Sequence, residues 1–130
     1  MSAKRMPDDV TIGKLLKAAT DAIGQSYSPY SQFAVGAALL DADGNIFSGT
    51  NVENASYGAT ICAERTAITK AISEGSREFE AIAIVGGHHG KITTACPPCG
   101  ICRQVMAELC PPDIPVILGK ESGLDIYALS

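Results

Sequence analysis

Two short runs in this chain lack a polar face. Residues 33–40 read FAVGAALL and residues 79–87 read FEAIAIVGG. A strand with one face in water alternates apolar and polar side chains, whereas these runs are apolar at almost every position. Such strands are covered on both sides, which calls for helices packed on a sheet. Three segments have the periodicity to provide them. Val10, Leu15, Leu16, Ala19 and Ile23 fall on one stripe of a helix over residues 10–23, with Asp8 or Asp9 as its cap and Pro29 beyond its end. Ala67, Ile68, Ala71 and Ile72 mark a second helix over residues 64–76 that stops near Gly75. Residues 100–110 make a third, ended by Pro111 and Pro112. The first apolar run turns back at Asp43-Gly44, a hairpin signal. Residues 115–119 and 124–129 read as two further strands. The order α-β-β-α-β-α-β-β predicts an α/β layered fold.

A length of 130 residues fits one domain, and a composition 46% hydrophobic and 18% charged is that of a chain with a packed core. The net charge is −4 and the ten Lys and Arg residues are scattered. A polyanion partner favours a basic, aromatic-interleaved surface, so this pattern speaks against nucleic acid and anionic membranes and leaves small neutral ligands open. No apolar run approaches the ~20 residues of a membrane span. The first ten residues lack the apolar stretch of a signal peptide, so a cytoplasmic protein with reduced thiols is expected.

Five cysteines then need another explanation than disulfides. Cys96, Cys99 and Cys102 lie at steps of three in TACPPCGICRQ. An iron–sulfur reading would add Cys110, but that residue stands too far past Cys102 for the usual cluster spacing. A zinc reading fits better. Proline suits the start of a helix, so a helix is expected to begin around Pro98 or Cys99, which puts Cys99 and Cys102 on one face and leaves Cys96 off it. Cys62 stands at a second expected helix start and offers a third thiolate; Glu64 follows two residues later, and Arg65 is placed to donate to the sulfurs. The fourth position of such a zinc stays open for water, unless Cys96, His88 or His89 closes it into a purely structural site.

Cys-x-Glu followed by Pro-Cys-x-x-Cys is the signature of zinc deaminases. Beyond the metal motif, FAVGAAL, GTNVENASYG, CAERTAI and PPCGICRQVMAEL make the chain similar, over residues 10–128, to the small three-cysteine cytidine deaminases that act on free nucleosides as homotetramers. The resemblance implies one three-layer α/β/α domain over residues 1–130, with a mixed, roughly five-stranded central sheet. It implies one zinc per chain on Cys62, Cys99 and Cys102, with Glu64 as general acid–base. The expected reaction is hydrolysis of cytidine and 2′-deoxycytidine to uridine and 2′-deoxyuridine with release of ammonia, as in pyrimidine salvage. Asn51 and Glu53 resemble the pair that bonds the ribose 3′-hydroxyl, Phe33 the aromatic at the base and sugar wall, and Ala63 the source of backbone contacts to the cytosine. Tyr57 resembles a residue near a neighbouring subunit's site, and Arg65 supports the sulfurs. No nucleic-acid or membrane partner is implied. Family chains commonly continue past ALS into a tail whose aromatic stacks on the base, so that stack is expected to be missing or supplied otherwise. An aminopyrimidine antibiotic such as blasticidin S is the rival substrate.

Overall fold

The computed structural model describes residues 6–92, 98–121 and 123–128. Asp8 starts the first helix: its carboxylate accepts from Thr11 N–H at 2.8 Å, capping α1 (Asp9–Ile23). Ile12, Leu15 and Ala19 form its buried stripe. Val10, expected on that stripe, is 67% exposed, because it lies five residues before Leu15, about 140° round the helix. Ile12, three residues before Leu15, takes its place.

The two apolar runs become β1 (Phe33–Asp41) and β3 (Phe79–His88), and they pair antiparallel at the centre of the sheet. The hairpin partner β2 (Ile46–Thr50) lies outside β1, reached through Gly44 at φ +88°, a left-handed conformation that glycine adopts without strain. On the other side, β4 (Pro115–Lys120) runs parallel to β3, and β5 (Gly123–Ala128) closes the sheet antiparallel to β4. The order is β2-β1-β3-β4-β5, a mixed five-stranded sheet. The one parallel pair needs a crossover, and α3 (Gly100–Leu109) lies in it.

Alternation along the central strands sends side chains both ways. Ala38, Leu40, Ala81, Ala83, Val85 and Ile117 meet Ile12, Leu15 and Ala19 of α1. Ala37, Leu39, Ile82, Ile84, Val116 and Leu118 meet Ala67, Ile68 and Ala71 of α2 (Ala63–Ser73) and Met106 of α3. The result is three layers, α1 on one face and α2 with α3 on the other. Leu15, Leu39, Ile68 and Ile82 are fully buried, each contributing about 1.5–3 kcal/mol by its removal from water.

Contact between hairpin and helices is close. A Cβ on Gly49 would stand 2.5 Å from Ala67 N and 2.7 Å from Ala63 O, so β2 lies directly against the first turns of α2. At the far end of β1, Asp41 is buried and accepts from the Asp43 and Asn45 N–H groups, the Asn45 amide and the Ser76 hydroxyl, tying the hairpin turn to the segment after α2. Burial alone would raise its pKa, but these hydrogen bonds outweigh it and hold the carboxyl below the usual 3.8. Its stabilising contribution is therefore complete above about pH 4 and is lost as pH falls below that. Asp41→Asn should lower stability at neutral pH by about 1–3 kcal/mol and flatten the acid limb of a stability–pH curve measured by urea unfolding.

Candidate functional site

Two helices on the same face of the sheet bring their N-termini together, and each has a cysteine at its N-cap position. Cys62 is the N-cap of α2 and Cys99 the N-cap of α3. The Cys99 thiol takes the role a serine oxygen would, accepting from Cys102 N–H at 3.4 Å. α3 therefore begins at Gly100, and its cap, not its first turn, supplies the first sulfur. The Cys62 and Cys99 sulfurs are 3.5 Å apart, and all three sulfurs lie within 4.8 Å of one another. Among the described residues, these are the side chains whose ligand atoms gather into a metal-sized cluster. Sulfurs round a tetrahedral zinc at Zn–S of about 2.3 Å stand about 3.8 Å apart, so the trio fits zinc as it stands. Cys102 is buried and Cys99 exposed, which opens the cluster on one side to solvent.

The iron–sulfur grouping is overturned. Cys110 caps the C-terminus of α3, about 15 Å of helix from Cys99. Its backbone N–H closes the helix on Met106 O. His88 ends β3 with its ring edge-on to Phe33, centroids 5.0 Å apart, and His89 occupies the adjoining turn at φ +54°. Cys96 lies outside the described residues.

Electrostatics favour anionic sulfur here. The neighbouring Cys102 thiol outweighs the cost of burial and lowers the Cys62 pKa to about 5, with Arg65 and Cys99 adding to the effect. Cys102 is pushed up, as the proton holder beside that thiolate. The Arg65 guanidinium approaches Cys62 Sγ at 3.7 Å and is anchored on Thr60 O at 3.1 Å, placing a fixed positive charge on the sulfurs. The positive ends of two helices add to it.

Glu64 stands in the first turn of α2, only 4% exposed. Burial pushes its carboxyl up to about 7; its own backbone N–H pulls the other way, and the charge on Cys62 adds to the rise. A carboxyl at that value is present in both protonation states near neutral pH, as proton transfer in both directions requires. Ala63 precedes it as the first residue of α2 and is fully buried.

The expected sugar-binding residues flank Val52, whose backbone pairs with Ile61, the residue before Cys62, at 2.9 Å in both directions. Asn51 is 8% exposed, and its side chain is held internally: Oδ1 accepts from Val35 N–H at 2.9 Å and from the Ser26 hydroxyl at 2.6 Å, while Nδ2 donates to Phe33 O at 2.9 Å. Glu53 accepts from Tyr30 N–H and Ser31 N–H on Oε1, and from the Ser31 hydroxyl on Oε2. Both residues thus hold the loop that leads into Phe33, the first residue of β1. Tyr57 opens a single 3-10 turn, Tyr57–Ala59, before Cys62. Ser26 and Ser31 carry no signal in the sequence beyond a Ser- and Pro-rich loop, since their role depends on pairing with residues over twenty positions away.

Residues 10–118 match the family model described as "Cytidine and deoxycytidylate deaminase zinc-binding region". A cytidine deaminase of Halalkalibacterium halodurans is 56% identical over 109 residues, 84% of this chain and 80% of that protein. A crystal structure of cytidine deaminase from Burkholderia pseudomallei superposes with a TM-score of 0.82 at 46% identity, covering 90% of this chain and 91% of that one. A blasticidin-S deaminase of Bacillus cereus is 30% identical over 102 residues, 75% of this chain and 72% of that protein.

Cys99→Ala removes the exposed sulfur without touching the core. It should leave cooperative unfolding intact and reduce zinc, measured by mass spectrometry after chelator dialysis, to about a tenth or less of the unsubstituted protein's content.

Proposed function

The chain belongs to the cytidine and deoxycytidylate deaminase family, and on that premise we propose how its residues divide the work of removing the amine of cytidine. The protein is a zinc-dependent hydrolase that converts cytidine to uridine and ammonia, an activity consistent with pyrimidine salvage. Cys62, Cys99 and Cys102 would hold one zinc per chain, and a zinc bound there supplies Lewis acidity that brings the pKa of water toward neutrality. Three thiolates on one dication leave a net charge of −1, which weakens that acidity. Arg65, donating to Cys62, withdraws part of the excess.

Glu64 is the proton carrier. It takes a proton from the attacking water, delivers it to N3 of the pyrimidine, and then moves the proton of the hydroxyl formed at C4 to the departing amine as the C–N bond breaks. The observation that carries this reading is a carboxyl 4% exposed, two residues from one sulfur of the cluster and poised at about 7. Ala63, next to it, contributes backbone contacts to the base, and Phe33 lines the wall between base and sugar.

Hydrogen-bond accounting supports Asn51 and Glu53 as readers of a single hydroxyl. The Asn51 carbonyl oxygen has both lone pairs engaged and its amide one of two donors, leaving one N–H. The Glu53 carboxylate has about four acceptor positions, three of them engaged. One free donor and one free acceptor, on residues two positions apart, match a hydroxyl, which is both, such as the sugar 3′-OH. A carboxylate there repels a phosphate, which favours nucleosides, cytidine and 2′-deoxycytidine alike. Blasticidin S carries no ribose, so this pair gives the antibiotic no advantage despite the Bacillus cereus relative.

We further read residues 1–130 as one domain and the enzyme as a cytoplasmic homotetramer in which Tyr57 lies near a neighbouring subunit's site, without nucleic-acid or membrane partners. Among the described residues, no helix is long and apolar enough to cross a membrane.

Glu64→Gln should fold and keep its zinc, while kcat for cytidine, followed by the ultraviolet change, falls about 10³-fold or more; normal turnover by that variant would remove Glu64 from the mechanism. Asn51→Ala should raise KM and also lower stability by about 1–3 kcal/mol, since Val35 N–H and Phe33 C=O lose their partner, both readable by steady-state kinetics and denaturant unfolding.

A further inference from the structure

Ser31 is an exposed residue of the loop before β1, not part of the sulfur cluster, yet it joins two of the substrate-binding residues. Its hydroxyl donates to Glu53 Oε2 and accepts from Phe33 N–H at 3.0 Å. A hydroxyl has one proton to give and lone pairs to spare, so both bonds form together with correct polarity. Its backbone N–H adds a bond to Oε1 at 3.1 Å, beside the Tyr30 N–H at 2.9 Å. The same hydroxyl is the largest cause that holds the Glu53 carboxyl below its usual range, so the acceptor form is the one it stabilises.

The loop that carries Ser31 is held on every side. Asn51 O accepts from Tyr27 N–H at 3.2 Å, and Tyr27 O accepts from Glu53 N–H at 2.8 Å. Gln32, next in sequence, adopts φ +60°, an unfavourable conformation for a residue other than glycine. It persists because Gln32 N–H donates to Ser28 O at 3.0 Å, its side-chain amide to Pro29 O at 3.0 Å, and its carbonyl accepts from His89 N–H at 2.6 Å. A backbone so constrained gives Ser31 one orientation, and Ser31 passes it to Glu53.

We propose that Ser31 is a positioning residue of the sugar site: its hydroxyl locks Glu53 so that the one free acceptor position of the carboxylate points where the sugar 3′-OH binds, and ties that carboxylate to the backbone of Phe33. This rests on the reading of Glu53 as a sugar contact. Without the Ser31 hydroxyl, Glu53 keeps its backbone donors on Oε1, but Oε2 is free to turn to water, and binding must order it again. A hydroxyl that only caps the loop would instead affect every substrate equally.

The test is steady-state kinetics of Ser31→Ala and Ser31→Thr with cytidine and 3′-deoxycytidine, together with Ser31→Ala in a Glu53→Ala background. For cytidine, Ser31→Ala should raise KM about tenfold or more, the scale of a lost hydrogen bond to a charged group, with kcat changed about threefold or less. The disadvantage of 3′-deoxycytidine against cytidine should shrink by the same factor. Ser31→Thr, which keeps the hydroxyl, should restore KM, and Ser31→Ala should add nothing once Glu53 is alanine. Equal KM increases for both substrates, an unchanged KM, or full additivity with Glu53→Ala would overturn the role of Ser31 alone. Equal KM values for cytidine and 3′-deoxycytidine in the unsubstituted enzyme would overturn the sugar reading of Glu53, and this inference with it.

Discussion

The site depends on two helices ending, at their N-termini, against the same point above one face of the sheet. Each has a cysteine at its N-cap position, and the two sulfurs meet at 3.5 Å. An N-cap normally satisfies orphan N–H groups with an oxygen. Here the Cys99 sulfur takes the capping bond while the Cys62 sulfur makes none, and both helix ends face thiol groups and favour thiolate. The layers of the fold fix where these ends lie. Leu39, Ile82, Ile84, Val116 and Leu118 give α2 and α3 a common floor, and Gly49 lets β2 reach the first turns of α2 without a Cβ between them.

The placement of Glu64 follows from the same constraint. A residue two positions after an N-cap lies over the helix end, and here it is also under the sheet-facing side, where burial raises its carboxyl to about 7. The feature that costs stability, an acid with little access to water, is the one that suits it to proton transfer. The positive charge of Arg65 serves the sulfurs instead, held at a distance by Thr60 O. One turn of helix therefore carries a sulfur, an acid and a compensating charge in consecutive roles.

Much of this was legible in the chain because it is periodic or spaced. The doubly apolar runs announced central strands, Asp43-Gly44 the hairpin, and Pro-Cys-x-x-Cys the helix that bears two sulfurs. Val10 was misplaced because an apolar residue near a helix start need not lie on its stripe; the angle to Leu15 decides, and Ile12 has it. Beyond any sugar contact, the Asn51 side chain is an internal bracket between Ser26, Phe33 and Val35, which its neighbours in sequence do not reveal. Ser26, Ser31 and Asp41 went unseen, since a long-range bond from a loop hydroxyl or a turn carboxylate leaves no pattern in the residues around it.

The chemistry requires a metal corner made of three sulfurs and open at the fourth position. X-ray absorption at the zinc edge on the purified protein tests it directly. Three sulfurs at about 2.3 Å and one light atom at about 2.0 Å are the predicted shell. Four sulfurs would mean a closed centre with no room for the reacting water, and would contradict the account.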